Sequence, residues 1–260
     1  MRKYIYNYQT IIHFTAPVSR HFFLLRCMPC VNACQQISSR DLFLYPKENV
    51  IFGADSWRNP IQYGNVMKPH DSFVFVSSGK ARMEPYRIPL EKDYLKNLFC
   101  VESAQTVLTD GMKQFLEEKR GGLSGLQLAQ HLAEEIYSYM TYSPGTTGMT
   151  TTASQAFAQR KGVCQDYSHI LISLCREAGI PTRYANGFIT GQGTTHAWVE
   201  VCEGEEWIGI DPTNNITEME YGYIKITHGR DASDCPVNRG MFTGLAQQQT
   251  EVRIIVEELC

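Results

Sequence analysis

The chain has 260 residues, with 24 basic and 27 acidic side chains, a formal net charge of −3 and nine cysteines. At roughly 150 residues per domain this makes one to two domains, enough to bury a core without covalent staples, which excludes a disulfide mini-scaffold. A near-balanced charge also lacks the electrostatic footprint of a nucleic-acid binder or an anionic-membrane binder. No segment approaches the ~18 consecutive apolar residues of a membrane span, and the start alternates Tyr4, Tyr6 and Tyr8 instead of forming an apolar run. An odd cysteine count leaves at least one thiol free. With no membrane segment, this reads as a cytoplasmic protein in which thiols serve as core residues, ligands or nucleophiles.

From Tyr4 to about Val101, short runs rich in Tyr, Phe, Val and Ile are broken by Pro17, Pro29, Pro46, Gly53, Asn59-Pro60, Gly64-Asn65, Pro69 and Gly79. That spacing predicts an antiparallel β-sandwich or barrel over residues 1–103. Its clearest strand is Ser72 to Val76, expected to end at a Ser77-Ser78-Gly79 turn. Cys27, Cys30 and Cys34 fall in this region and are expected within strand-like sequence. A structural zinc would need a fourth ligand from His13 or His21. Alternating side-chain direction along a strand opposes that, so metal is the secondary reading.

A second unit is expected over residues 104–260. Helices are predicted from Thr109 to Arg120, stopping at Gly121-Gly122, and from Ser124 to Tyr139, with Leu128, Leu132, Ile136 and Tyr139 on one face. Thr152 and Gln155 form a capping-box pattern that opens a short helix over Ala153 to Gln159. A helix apolar almost all round runs from Cys164 to Ala178 and ends at Gly179 before Pro181. Strands return at Thr182 to Ile189, His196 to Cys202 and Trp207 to Ile210, then at Tyr221 to Ile226 and Glu251 to Glu257.

Three residues in this unit point to one chemistry. Cys164 opens a buried helix, where unpaired N–H groups and the positive dipole end favour a thiolate and offer donors to an oxyanion. His196 begins a strand and Asp211 ends the next; a hairpin through Glu203-Gly204 brings them to the same end, where the carboxylate can hold the imidazole. Singly, each has an ordinary reading as core thiol, partly buried histidine or turn aspartate. Their order makes the set more informative than its members. His169 lies five residues after Cys164, about 500° around the helix, and is read as structural. Trp198 is expected on the opposite face of its strand from His196, in the core. Gln165 and Asp166 either line a cleft or support the helix start. Cys100, Cys175, Cys202, Cys235 and Cys260 are read as core or surface thiols.

The segments Gly162-Val163-Cys164-Gln165-Asp166-Tyr167-Ser168-His169, Ala178 to Tyr184, His196-Ala197-Trp198-Val199-Glu200 and Asp211-Pro212-Thr213 resemble the transglutaminase-like superfamily, in particular its bacterial cysteine-protease branch. Gly229-Arg230-Asp231, Pro236 and Arg239-Gly240 are similar to its segment after the aspartate strand. Leu25-Arg26, Pro29, Gln35, Trp57 and Gly64-Asn65 are similar to the β-domain that often precedes this core. Tyr167 and Ser168 stand where the branch more often has phenylalanine and alanine. The resemblance implies an α+β protein with a papain-like core behind the β-sandwich. It also implies a triad of Cys164 as nucleophile, His196 as base and acid and Asp211 as orienter, working without a cofactor. A peptide or protein substrate would then be cleaved at an amide through an acyl-enzyme. The alternatives are acyl transfer from protein glutamine to amines, and a binding or scaffold protein that keeps the fold without turnover.

Overall fold

The computed structural model describes residues 1–90 and 96–259; Cys260 lies outside the described residues. The N-terminal half contains strands β1 (Arg2–Leu25), β2 (Gln35–Tyr45), β3 (Val50–Ala54), β4 (Pro60–Val66) and β5 (His70–Met83), followed by a short β6 (Arg87–Pro89). Helices α1 (Asp110–Arg120) and α2 (Gly125–Tyr139) come next, then β7 (Thr141–Tyr142), α3 (Ala153–Gln159), β8 (Lys161–Gly162) and α4 (Cys164–Glu177). The chain continues through β9 (Thr182–Ile189), β10 (Gly191–Gly193), β11 (His196–Glu203), β12 (Glu206–Ile210), β13 (Tyr223–Gly229), β14 (Asn238–Thr243) and β15 (Gln248–Leu259). The fold is α+β, with two large antiparallel sheets and a layer of helices against the second.

Strand β1 organises the N-terminal half. Residues 2–13 run between β5 and β15, whereas residues 19–25 run between β4 and β14, with a register shift around Pro17 where β1 passes from one set of partners to the other. The alternation of Tyr4, Tyr6 and Tyr8 has a direct cause: strand side chains alternate in direction, and these three point inward and are buried. They share a core with Phe73, Phe75 and Leu25, and with Phe188, Ile224 and Ile226 of the second sheet. That second sheet has the order β13-β9-β11-β12-β6. The two halves therefore exchange strands, β6 joining the second sheet and β14 and β15 returning to β1.

The helices pack on the other side of the second sheet. Leu128, Leu132 and Ile136 of α2 meet Ile170, Leu171 and Leu174 of α4 and Ala197, Val199 and Val201 of β11. Burying each large side chain contributes roughly 1.5–3 kcal/mol. Every residue of α4 from Asp166 to Arg176 is buried, as its all-round apolar pattern requires. Gly179 has φ 76°, the left-handed conformation that closes the helix. Thr152 and Gln155 form the capping box expected at the start of α3. Among the described residues, no helix is long and apolar enough to cross a membrane.

Two sequence expectations are corrected. Ser77-Ser78-Gly79 is not a turn, because β5 runs through it to Met83. Gly79 is a close-approach glycine: β2 carries an irregularity between Ile37 and Ser39, and a Cβ at residue 79 would run into the Ser39 carbonyl and lie 2.7 Å from the Tyr6 hydroxyl. Cys27, Cys30 and Cys34 lie not in a strand but in the connection from β1 to β2, where Pro29 and Asn32 break the ladder. Their thiols donate to three separate acceptors, Gln62 Oε1, the Ile226 carbonyl and Asn32 Oδ1. His21 is paired elsewhere, with Nδ1 3.1 Å from His70 Nε2. Among the described residues, no group of three or more His, Cys, Asp or Glu side chains is placed to hold a metal ion.

The contact at Gly79 makes a specific demand on the β2–β5 pairing. Gly79→Ala is expected to destabilise the protein by about 1–3 kcal/mol through overpacking, measured as a lower midpoint in urea unfolding. An unchanged midpoint would show that β2 yields to the added methyl without penalty.

Candidate functional site

The approach to Cys164 is built from two short pieces. β8 pairs with β7 in parallel, and the chain then turns through Val163, an extended residue that caps α4. Asp166, in the first turn, folds back so that Oδ2 accepts from the Val163 N–H at 2.8 Å and from Thr147 Oγ1 at 2.6 Å. A Cβ on residue 162 would sit 2.5 Å from that same oxygen, so glycine is required there for Asp166 to reach the helix start. Asp166 is buried and supports the helix. Gln165 is the more open of the two, with Nε2 at 3.4 and 3.5 Å from the Gly148 and Met149 carbonyls. Cys164 is thereby the first residue of a 14-residue helix, among amides that have no acceptor within the helix.

His196 and Asp211 arrive on neighbouring strands. β11 and β12 form the expected hairpin, with Gly204 in the left-handed conformation at its turn and Val199 facing Ile210. His196 Nε2 is 2.7 Å from Asp211 Oδ2. Cys164 and Asp211 both favour the charged form of this imidazole. With Nε2 directed at Asp211, Nδ1 is the nitrogen left for the thiol. Burial opposes a charge on His196, but its hydrogen bonds to Asp211 and Cys164 and their negative charge outweigh that and raise its pKa to about 10.

Asp211 is fully buried and satisfied by several donors. Oδ2 accepts from His196 Nε2, from Asn214 Nδ2 at 2.7 Å and from the Tyr223 hydroxyl at 2.8 Å. Oδ1 accepts from the backbone N–H groups of Thr213 and Asn214 at 3.0 and 3.3 Å. Burial would push its pKa up; the hydrogen bonds from His196, Asn214 and Tyr223 reverse the shift and hold the carboxyl below its ordinary range. The Asn214 contact has a local signal, since Asp-Pro-Thr-Asn is a side-chain-capped turn pattern. Tyr223 has none, being twelve residues away and brought in only by the sheet.

The expectation for Trp198 is corrected in part. Side chains two apart on a strand share a face, so Trp198 lies on the side of His196, with ring centroids 6.5 Å apart and planes 24° from parallel. It is nonetheless fully buried. Its Nε1 donates to the Tyr86 hydroxyl at 2.9 Å, and Tyr86 donates to Glu200 Oε1 at 2.6 Å. Glu200 in turn pairs with Arg183 and with Lys225 Nζ, 2.8 Å from both carboxylate oxygens. Burial opposes that charge, but the two cations hold its pKa down at about 2. His169 is structural: it is buried, faces Tyr184 and accepts from the Ala232 N–H through Nε2 at 3.1 Å.

Residues 108–212 match the transglutaminase-like superfamily, and residues 4–82 match the bacterial transglutaminase-like N-terminal region. An uncharacterized protein of Mycobacterium leprae is 25% identical over 94% of both chains. A protein-glutamine gamma-glutamyltransferase of Pseudomonas aeruginosa is 29% identical over 135 residues, 45% of this chain and 20% of its own length. Among solved structures, a candidate cysteine protease from Cytophaga hutchinsonii superposes with a TM-score of 0.81 at 20% identity, covering all of this chain and 91% of that one.

The pairing of His196 with Asp211 sets a pH dependence of stability. His196 titrates higher in the folded chain than its ordinary 6.5, so its contribution is complete below that value and is lost as pH rises towards about 10. Thermal unfolding of the wild type and of Asp211→Asn at a series of pH values is expected to show a gap that narrows steadily from pH 6.5 to 10. A gap that widens over this range would contradict the charged pair.

Proposed function

Because residues 108–212 match the transglutaminase-like superfamily, we propose that the chain is a thiol-dependent hydrolase of peptide or isopeptide amides, with Cys164 as nucleophile, His196 as general base and acid, and Asp211 as orienter. The observation that carries this reading is an imidazole hydrogen-bonded to a buried, multiply bonded carboxylate and favoured in its charged form by that carboxylate and by the helix-start thiol. His196 already holds the proton of the Cys164 thiol, and the sulfur attacks the amide carbonyl carbon as the thiolate. First-turn amides of α4 receive the negative oxygen, and His196 then hands its proton to the departing amine. Water clears the resulting thioester, with the now neutral His196 taking and keeping a proton from the water as the sulfur leaves as the thiolate of the resting pair.

A primary amine in place of water would give transamidation, the reading favoured by the likeness to the Pseudomonas gamma-glutamyltransferase. Both share every step up to the thioester. The reading also suits a reducing compartment such as the cytoplasm, since the eight cysteines among the described residues are all free thiols.

Burial separates Cys164 from its neighbours: it raises the Cys30 and Cys175 thiols to about 12 and Cys34 to about 11. Iodoacetamide followed by peptide mass spectrometry is expected to modify Cys164 at least ~10-fold faster than any of these at pH 7, and His196→Ala is expected to abolish that lead. Uniform labelling would instead favour a binding protein that keeps the fold without turnover. An acyl-thioester probe with and without a primary amine divides the two enzymatic readings. Free acid as the main product in both conditions supports hydrolysis, and an amide with added amine supports transfer.

A further inference from the structure

Besides the pairing of β6 with β12 and the packing on Phe188 of β9, the N-terminal half meets the site sheet along β13. β13 is an edge strand of the second sheet, paired only with β9, and that pairing slips between Lys225 and Thr227. An edge strand with a slip has main-chain groups that the ladder does not use. Here those groups are taken by the N-terminal half. The Gln35 side chain accepts from the Lys225 N–H and donates to the Lys225 carbonyl, each at 2.8 Å, as a neighbouring strand would. The Cys30 N–H donates to the same carbonyl at 2.9 Å, and the Cys30 thiol donates to the Ile226 carbonyl at 3.0 Å. Two residues further on, the Asn59 amide repeats the pattern at His228, with both bonds at 2.8 Å. Ile224 and Ile226 complete the join by packing with Tyr6 and Tyr8.

β13 also begins with Tyr223, whose hydroxyl donates to the Asp211 oxygen that faces His196. We infer that the N-terminal half is a positioning module for the catalytic triad: by acting as the missing neighbour of β13 it holds Tyr223 on Asp211, and Tyr223 sets how strongly Asp211 binds the His196 proton. This rests on the triad reading above. A hydroxyl on Oδ2 draws off part of the carboxylate's negative charge, so less remains to hold the imidazole proton. Tyr223 is therefore a positioning residue, acting on His196 only through Asp211. The groups that face His196 are Cys164 from α4, Trp198 from β11, Asp211 and Asn214 after β12 and Tyr223 from β13, and Cys164 and Asp211 are the only possible anions among them near neutral pH.

The test reads the proton on His196 directly, by NMR of the full chain labelled at its histidine rings. Tyr223→Phe keeps the ring and removes the hydroxyl, and is expected to move the His196 titration upward by about half a pH unit or more. Gln35→Ala frees β13 and is expected to move it in the same direction. The two changes combined are expected to move it no further than Tyr223→Phe alone, because they act on one contact. Asn59→Ala loosens the same strand at His228 and replaces Gln35→Ala if that variant does not fold. Phe73→Leu, whose ring packs on His21 and Phe23 of β1 and on Phe75 of β5, is the control, expected to lower the unfolding temperature and leave His196 unmoved. A titration that stays at the wild-type position in Tyr223→Phe, or in Gln35→Ala despite a lowered unfolding temperature, overturns the proposal. The readout involves no turnover, so an inactive protein with the expected shifts would reject the hydrolase reading and keep this one.

Discussion

A carboxylate fully withdrawn from water is stable as an anion only if nearly every lone pair finds a donor, and Asp211 meets that condition with five hydrogen bonds. The arrangement dictates much of the surrounding structure. The backbone donors require the turn after β12, the side-chain donors require Asn214 in that turn and Tyr223 across the sheet, and the imidazole requires β11 to start at His196. Remove the charge and the ring loses the partner that fixes which nitrogen faces the thiol. The same sheet holds a second buried carboxylate, Glu200, neutralised by Arg183 and Lys225 and bonded by Tyr86. The two differ in what they contact: Glu200 sees only cations and a hydroxyl of the interior, whereas Asp211 contacts a ring that reaches a half-buried thiol. Glu200 therefore locks strands together, and Asp211 holds an imidazole in place.

Local patterns made much of this legible in the sequence. The periodicity and stop signals of α1, α2 and α4 are properties of contiguous residues, and so are the capping box of α3 and the hairpin that brings His196 to Asp211. Cys164, His196 and Asp211 stand out in the sequence because each falls at an end of an element whose boundary the sequence marks. What escaped were contacts set by the sheet rather than by the chain. Tyr223 reaches Asp211 only through strand order, and Tyr86 reaches Glu200 across 114 residues. Gly79 misled for a related reason. A glycine marks a turn or a close approach equally well, and only the carbonyl of Ser39 above it decides between them. The error over Trp198 was of another kind, since a period of two already places it on the face of His196.

The N-terminal motif residues gain a common physical explanation once the edge of β13 is considered. Gln35 and Asn59 are both amides, the side chains that most closely copy a peptide unit, and both supply one donor and one acceptor to a main-chain stretch of β13. Arg26 pairs with Asp55 at 2.9 Å, and Asp55 in turn holds the turn that presents Asn59. Trp57 packs on Phe99, with the Arg230 guanidinium over its ring. Residues scattered from 26 to 59 thus act on one seam between the two halves of the chain.

That seam also accounts for the cysteines that looked most like a site of their own. A run of three thiols within eight residues suggests shared chemistry, yet each is turned to a different acceptor, and burial pushes each away from the charged form that a ligand or nucleophile needs. Cys30 contributes to the seam through its N–H and its thiol, as a small donor that fits where a larger side chain would hold the strands apart. Cys164 has the same side chain in the reverse situation, half-buried and at the positive end of a helix. What separates the structural thiols from the proposed nucleophile is therefore solvent access and the sign of the local field, both of which are set by where along an element the cysteine falls.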